Sequence, residues 1–98
     1  DLTQDEVKGL VEKICKDFAV PCPKHISLVN KMSFMGPEGS YYPATTKMRL
    51  AHFNGKASKH TLLHELAHHL DNVMTNKVGE RGINHGMRFK KILLNLTG

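Results

Sequence analysis

His64-Glu65-Leu66-Ala67-His68 is the stretch of this 98-residue chain in which residue types and spacing promise chemistry. Residues four apart on a helix share a face, so the two imidazoles can converge on one metal ion. Glu65, one residue along, flanks the same point and can reach a water there without itself taking a coordination position. Zinc lowers the pKa of a bound water toward neutrality, and a carboxylate beside it can accept the proton as the oxygen attacks a polarised carbonyl. The pattern therefore predicts Zn²⁺-assisted amide hydrolysis, with His64 and His68 as metal ligands and Glu65 as general base.

A catalytic zinc usually takes three protein ligands and keeps one position open, so a third ligand is expected downstream. His85 fits best. It precedes Phe89 by four residues and Ile92 by seven, which puts it on the core-facing edge of a last helix that starts near it. Glu80 is the carboxylate alternative, but it sits beside Arg81 in a polar stretch, and zinc favours imidazole. His69 points about 100° away from His68 on the helix and reads as a packing or surface residue. Asp71 lies on the face of His64, where it either orients a ligand imidazole or is simply solvated. His25, His52 and His60 have no ligand-spaced partner. Tyr41 and Tyr42 could donate to an oxyanion, although core or loop packing is the commoner use of such residues.

These residues need a scaffold. Thr3 and Glu6 form a T-x-x-E capping box that should start a helix, and Val7, Leu10, Val11, Ile14 and Phe18 continue it at helical spacing. Pro21 and Pro23 end it. His25 to Asn30 reads as a short strand, Ser33 to Pro43 as a loop or loose hairpin dense in turn formers, and Thr45 to Phe53 as a half-buried strand that stops at Asn54-Gly55. Ser58 is the expected N-cap of a helix from Lys59 to about Met74, carrying the His64–His68 motif and an apolar face of Leu62, Leu63, Leu66, Leu70 and Val73. Gly79, Gly82 and Gly86 punctuate a link to a final helix with Phe89, Ile92, Leu93 and Leu96. The order predicts a single α+β domain over residues 1–98: three main helices, a small antiparallel or mixed sheet, and the motif on the central helix.

Composition sets outer bounds. The chain is 40% hydrophobic and 23% charged, which is ordinary for one globular domain, and no apolar run approaches the roughly 20 residues needed to cross a bilayer. Two cysteines are too few for a disulfide framework, so Cys15 and Cys22 read as small buried hydrophobes in a reduced, cytoplasmic protein. The absence of an initiator Met suggests excision from a longer chain. Net charge is +5, with seven basic and six acidic residues before position 50 and seven and three after it. That positive C-terminal half, with Lys77, Arg81, Arg88, Lys90 and Lys91, suits nucleic acid as a partner as well as plain solubility.

Three segments together carry a family resemblance: Met48-Arg49-Leu50-Ala51, then Thr61-Leu62-Leu63-His64-Glu65-Leu66-Ala67-His68, then His85-Gly86-Met87-Arg88-Phe89. Over residues 45–96 the chain resembles the SprT-like zinc metallopeptidases, a minimal zincin fold shared with the DNA–protein crosslink proteases of the Spartan group. The resemblance implies zinc held by His64, His68 and His85, Glu65 as general base, and an extended protein substrate, in some members a DNA-associated one. It also implies a strand beside the cleft against which that substrate lies, here Thr45 to Phe53. No cysteine-based zinc ribbon of the kind many members carry follows within these residues. The competing expectation from a different class is a non-catalytic, zinc-stabilised basic module that binds DNA or a protein partner.

Overall fold

A computed structural model describes residues 1–30, 39–75 and 87–97. The link with Gly79, Gly82 and Gly86, together with Phe34, Lys77, Glu80, Arg81 and His85, lies outside the described residues.

The capping box forms as its sequence dictates. A two-residue strand β1 (Leu2–Thr3) runs straight into helix α1 (Gln4–Asp17), and Thr3 is the N-cap. Its hydroxyl accepts from the Glu6 N–H at 3.3 Å, while the Glu6 carboxylate accepts from the Thr3 N–H at 2.8 Å. At the other end Ala19 takes a left-handed φ of 56°, and the N–H groups of Ala19 and Val20 return to the carbonyls of Lys16 and Cys15 at 3.0 Å each. This closing motif turns the chain back sharply, ahead of Pro21.

Among the described residues five strands form one mixed sheet. Strand β2 (His25–Asn30) pairs in parallel with β4 (Lys47–Phe53) along its whole length, from His25 opposite Lys47 to Asn30 opposite His52. The other edge of β4 is shared end to end by two antiparallel strands: β3 (Gly39–Tyr42) against Lys47 to Leu50, and β5 (Lys56–Ala57) against His52 and Phe53. β1 then pairs with β5. Positive φ at both Asn54 (55°) and Gly55 (82°) makes the β4–β5 connection a two-residue hairpin turn, whose twist matches that of the strands.

Two sequence expectations are corrected by this pairing. Gly39 to Tyr42 is strand rather than loop, because β4 offers it a ladder and Tyr41 a buried anchor. β4 is also not available to a substrate chain, since its backbone is paired on both edges. β3 is the strand of that half of the sheet with an edge turned away from β4.

Helix α2 (Lys59–Thr75) begins at Ser58, whose hydroxyl accepts from the Thr61 N–H at 3.4 Å, and it contains His64 to His68. Helix α3 spans Met87–Thr97. Met48 and Leu50 of β4 are fully buried against the helices, whereas Lys47 and Arg49 on the opposite face are only half-buried. Val7, Val11 and Cys15 of α1, Leu62, Leu66, Ala67 and Leu70 of α2, and Phe89 and Ile92 of α3 complete the core. Each buried leucine, isoleucine or valine stabilises the fold by roughly 1.5–3 kcal/mol, so α2, with Leu62, Leu66 and Leu70, is an element the rest packs on. Cys15 is buried as expected, but Cys22 is exposed. Burial, and secondarily the neighbouring Cys22 thiol, push the Cys15 thiol up to about 12, which leaves it unreactive. Among the described residues no helix is long and apolar enough to cross a membrane.

Candidate active site

The 3.6-residue period of α2 puts Leu62, Leu66 and Leu70 into the core and brings His64, Glu65 and His68 along its flank. The two imidazoles stand with ring centres 5.1 Å apart and planes at 77°. Two imidazoles bound through nitrogens about 2.0–2.1 Å from one tetrahedral ion place their ring centres about 5 Å apart, so the pair has the separation that a shared zinc needs. Among the described residues no group of three or more His, Cys, Asp or Glu side chains is placed to hold a metal ion. The expected third ligand, His85, lies outside the described residues, as does its alternative Glu80.

Phe89 of α3 covers the pair. Its ring stacks on His68 at 4.3 Å and 25°, and meets His64 edge-on at 5.2 Å and 70°. The sequence placed Phe89 in the core by its spacing with Ile92 and Leu96. Its contact with both imidazoles was not legible there, because it depends on how α3 docks.

Glu65 is 7% exposed, and that burial pushes its carboxyl up to about 7 in the metal-free chain. A group so placed exchanges a proton near neutral pH, as a general base must. The pressure comes partly from β3: a Cβ built on Gly39 would stand 2.8 Å from Glu65 Oε2, 2.8 Å from Thr61 Cγ2 and 2.9 Å from Glu65 Cγ. Only glycine lets this strand approach the glutamate so closely. Gly39→Ala should therefore lower stability by about 1–3 kcal/mol, read as a reduced urea midpoint; an unchanged midpoint would mean that β3 does not press on α2.

The neighbouring residues separate cleanly. His69 is fully buried and faces away from the His64–His68 pair, as its helical angle required. Its Nε2 lies 2.8 Å from the Pro21 carbonyl oxygen, which only accepts, so Nε2 carries the proton. Nδ1 must then accept, and it does so from the Tyr41 hydroxyl at 2.8 Å. The Asn72 amide donates to the Tyr41 oxygen at 3.1 Å and to the Pro43 carbonyl at 3.2 Å. Desolvation holds His69 below the usual histidine range, keeping it neutral as this network demands. Tyr41, 4% exposed with its proton committed to His69, is thereby removed from the oxyanion role that its residue type allowed. Tyr42 is exposed on the far side of β3, with the Arg49 guanidinium 5.8 Å from its ring centre. Asp71 is half-buried, and His25 and His60 are exposed. The His52 Nδ1 accepts from the Gly55 N–H at 3.1 Å and so serves the hairpin turn.

The Tyr41–His69–Asn72 network is the part of the site region that sequence reading missed. Its one signal was a histidine directly after the motif with an asparagine three residues on, a spacing that lets both reach one partner, here the Tyr41 hydroxyl. No family model, no curated protein and no solved structure matches this chain.

Proposed function

We propose that this domain is a zinc-dependent endopeptidase of the SprT-like type, with a zincin-like arrangement in which His64 and His68 of α2 and His85 hold Zn²⁺. The observation that carries the reading is Phe89 lying across both imidazoles, because it brings the start of α3 to the motif. His85 is four residues before Phe89 in the sequence. The donor set, three imidazoles with a separate carboxylate, suits zinc chemically. When bound, the ion supplies polarisation of the substrate carbonyl and a lowered pKa for water.

The chain's own residues do the rest. The edge of β3 not paired to β4 receives an extended protein segment as an added strand, replacing the β4 assignment. Gly39 lets that edge lie against Glu65. Glu65 accepts the proton of the attacking water and delivers it to the amide nitrogen as the C–N bond breaks. Its position on a buried flank of α2 limits access of bulk water to the carboxylate. A reduced cytoplasmic setting suits the unbridged thiols. Nucleic acid, held through the basic C-terminal half, would bring DNA-associated proteins within reach.

The test is zinc binding and proteolysis measured together. The parent should bind one zinc and cut an unfolded protein, and His64→Ala, His68→Ala and His85→Ala should each lose both properties. Reactions with and without single-stranded DNA decide whether nucleic acid takes part. Stoichiometric zinc without cleavage would sink the peptidase reading and leave a zinc-stabilised binding module.

A further inference from the structure

The helices cover one face of the sheet, the face of Tyr41, Met48, Leu50 and Ala57. Strand alternation and register put Lys47, Arg49, Ala51 and Phe53 of β4, Tyr42 of β3 and Lys56 of β5 on the other. None of these six side chains belongs to the core, and Phe53 is 57% and Tyr42 40% exposed. The two rings are placed alike. Tyr42 is the cross-strand partner of Lys47, and Phe53 is the cross-strand partner of Lys56.

We propose that this open face binds single-stranded DNA, with Tyr42 and Phe53 as stacking platforms for two bases and Lys47, Arg49 and Lys56 holding the phosphates. Charge is the first reason. Among the described residues the face carries three cations and no acid, while Glu38 lies outside them. Glu6, near Lys56 at the margin, keeps its carboxylate bound to the Thr3 N–H. The Arg49 guanidinium stands 5.8 Å from the Tyr42 ring centre, so a base stacked on that ring has a cation beside it.

The position of the rings is the second reason. Tyr42 lies opposite Lys47, and Phe53 is six residues further along β4, about 20 Å away, a span for about four nucleotides. Rings that stand on a sheet stack on unpaired bases, whereas the bases of a duplex are already stacked on one another. Two separated rings with cations between them also suit a polyanion better than a lipid surface, which calls for contiguous apolar area. The floor is the third reason. Between the rings lies Ala51, paired with Val29 of β2, an apolar surface that suits the thymine methyl group, which uracil lacks.

This surface lies across the sheet from α2 and needs neither zinc nor Glu65, so it stands apart from the peptidase reading. It is also separate from Lys90 and Lys91, which are exposed on α3. The experiment is anisotropy of labelled oligothymidylate, about twelve nucleotides long, titrated with the full chain across a range of salt. Tyr42→Ala and Phe53→Ala should each weaken binding by about tenfold and leave the salt slope unchanged. Lys47→Ala and Lys56→Ala should each flatten the slope of log K against log salt by about 0.7. Tyr42→Phe and Phe53→Trp should bind as the parent does, and so should the pair Lys90→Ala with Lys91→Ala. All these positions lie outside the core, and an unchanged urea midpoint checks that each variant folds.

Equal or tighter binding of oligouridylate or of a duplex overturns the assignment. So does binding that survives loss of both rings, or that is lost with Lys90 and Lys91 instead. Sedimentation of the chain with phosphatidylserine vesicles but no binding of the oligonucleotide would make the face a membrane surface. Cleavage of protein without DNA binding would remove this face and leave the peptidase reading, and DNA binding without cleavage would do the reverse.

Discussion

Glu65→Gln is expected to cut peptide hydrolysis by about 10²–10⁴-fold while making the zinc-free chain more stable above pH 7. Both effects come from one buried carboxylate. Its folded pKa, about 7, is raised above the ordinary value of 4.5, so folding favours the protonated form. Below pH 4.5 the group is protonated in both states and costs nothing. As pH rises from 4.5 to 7 the unfolded chain ionises first, and stability falls until the full penalty is reached above 7. Gln keeps the shape and removes the charge, a gain on the order of 3 kcal/mol at pH 8 that vanishes by pH 4. Paired urea titrations of the zinc-free proteins at those two pH values, beside a cleavage assay, measure it. A variant that is inactive and also less stable at pH 8 would mean that burial does not strain Glu65. Zinc should reverse the ranking, since a cation beside the carboxylate favours its charged form.

His69→Ala should be the most damaging substitution in the region, at about 3–4 kcal/mol. It leaves a cavity in a fully packed place and strands the Pro21 carbonyl and the Tyr41 hydroxyl without their partner. For a domain whose whole stability is of order 5–15 kcal/mol, that approaches unfolding. Tyr41→Phe, which removes only the donor to Nδ1, should cost about 1–2 kcal/mol. Tyr41→Phe with His69→Leu should cost less than the two single changes summed, because replacing both partners leaves little unsatisfied. Strict additivity in denaturant unfolding would show that the hydrogen bond is not what the pair contributes. Acid gives an independent check. The folded pKa of His69 is lowered, so stability is intact above the unfolded value near 6.5 and is lost as pH falls below it. That slope opposes the Glu65 slope between pH 4.5 and 6.5, so Glu65→Gln should uncover a steeper acid loss than the parent shows.

What the sequence revealed and what it hid divide by range. The capping box at Thr3, the Ser58 N-cap, strand β2 after Pro23 and the flank holding His64, Glu65 and His68 are all set within a few residues, and all were legible. β3 was not. Its Gly-Ser-Tyr-Tyr lies in a run of turn formers, and what makes it a strand is a ladder with β4 and a hydroxyl bonded to a histidine 28 residues away. β1 and β5, two residues each, are too short for any alternation to show. The expectation that Thr45 to Phe53 offers an open edge failed for the same reason. β4 has the better strand pattern because it is the centre of the sheet, and a central strand has no free edge to offer.

Every residue proposed for the chemistry lies after position 60, which tempts one to trim the chain to its second half. The bond from His69 to the Pro21 carbonyl argues against it. A fragment starting at residue 25 would keep β2 to β5 and both imidazoles. It would also leave Leu62, Leu66 and Leu70 without Val7, Val11 and Cys15, and a buried histidine without its acceptor. The opening segment thus behaves as a built-in chaperone for the motif helix. A separately supplied peptide of residues 1–24 should rescue such a fragment when mixed with it.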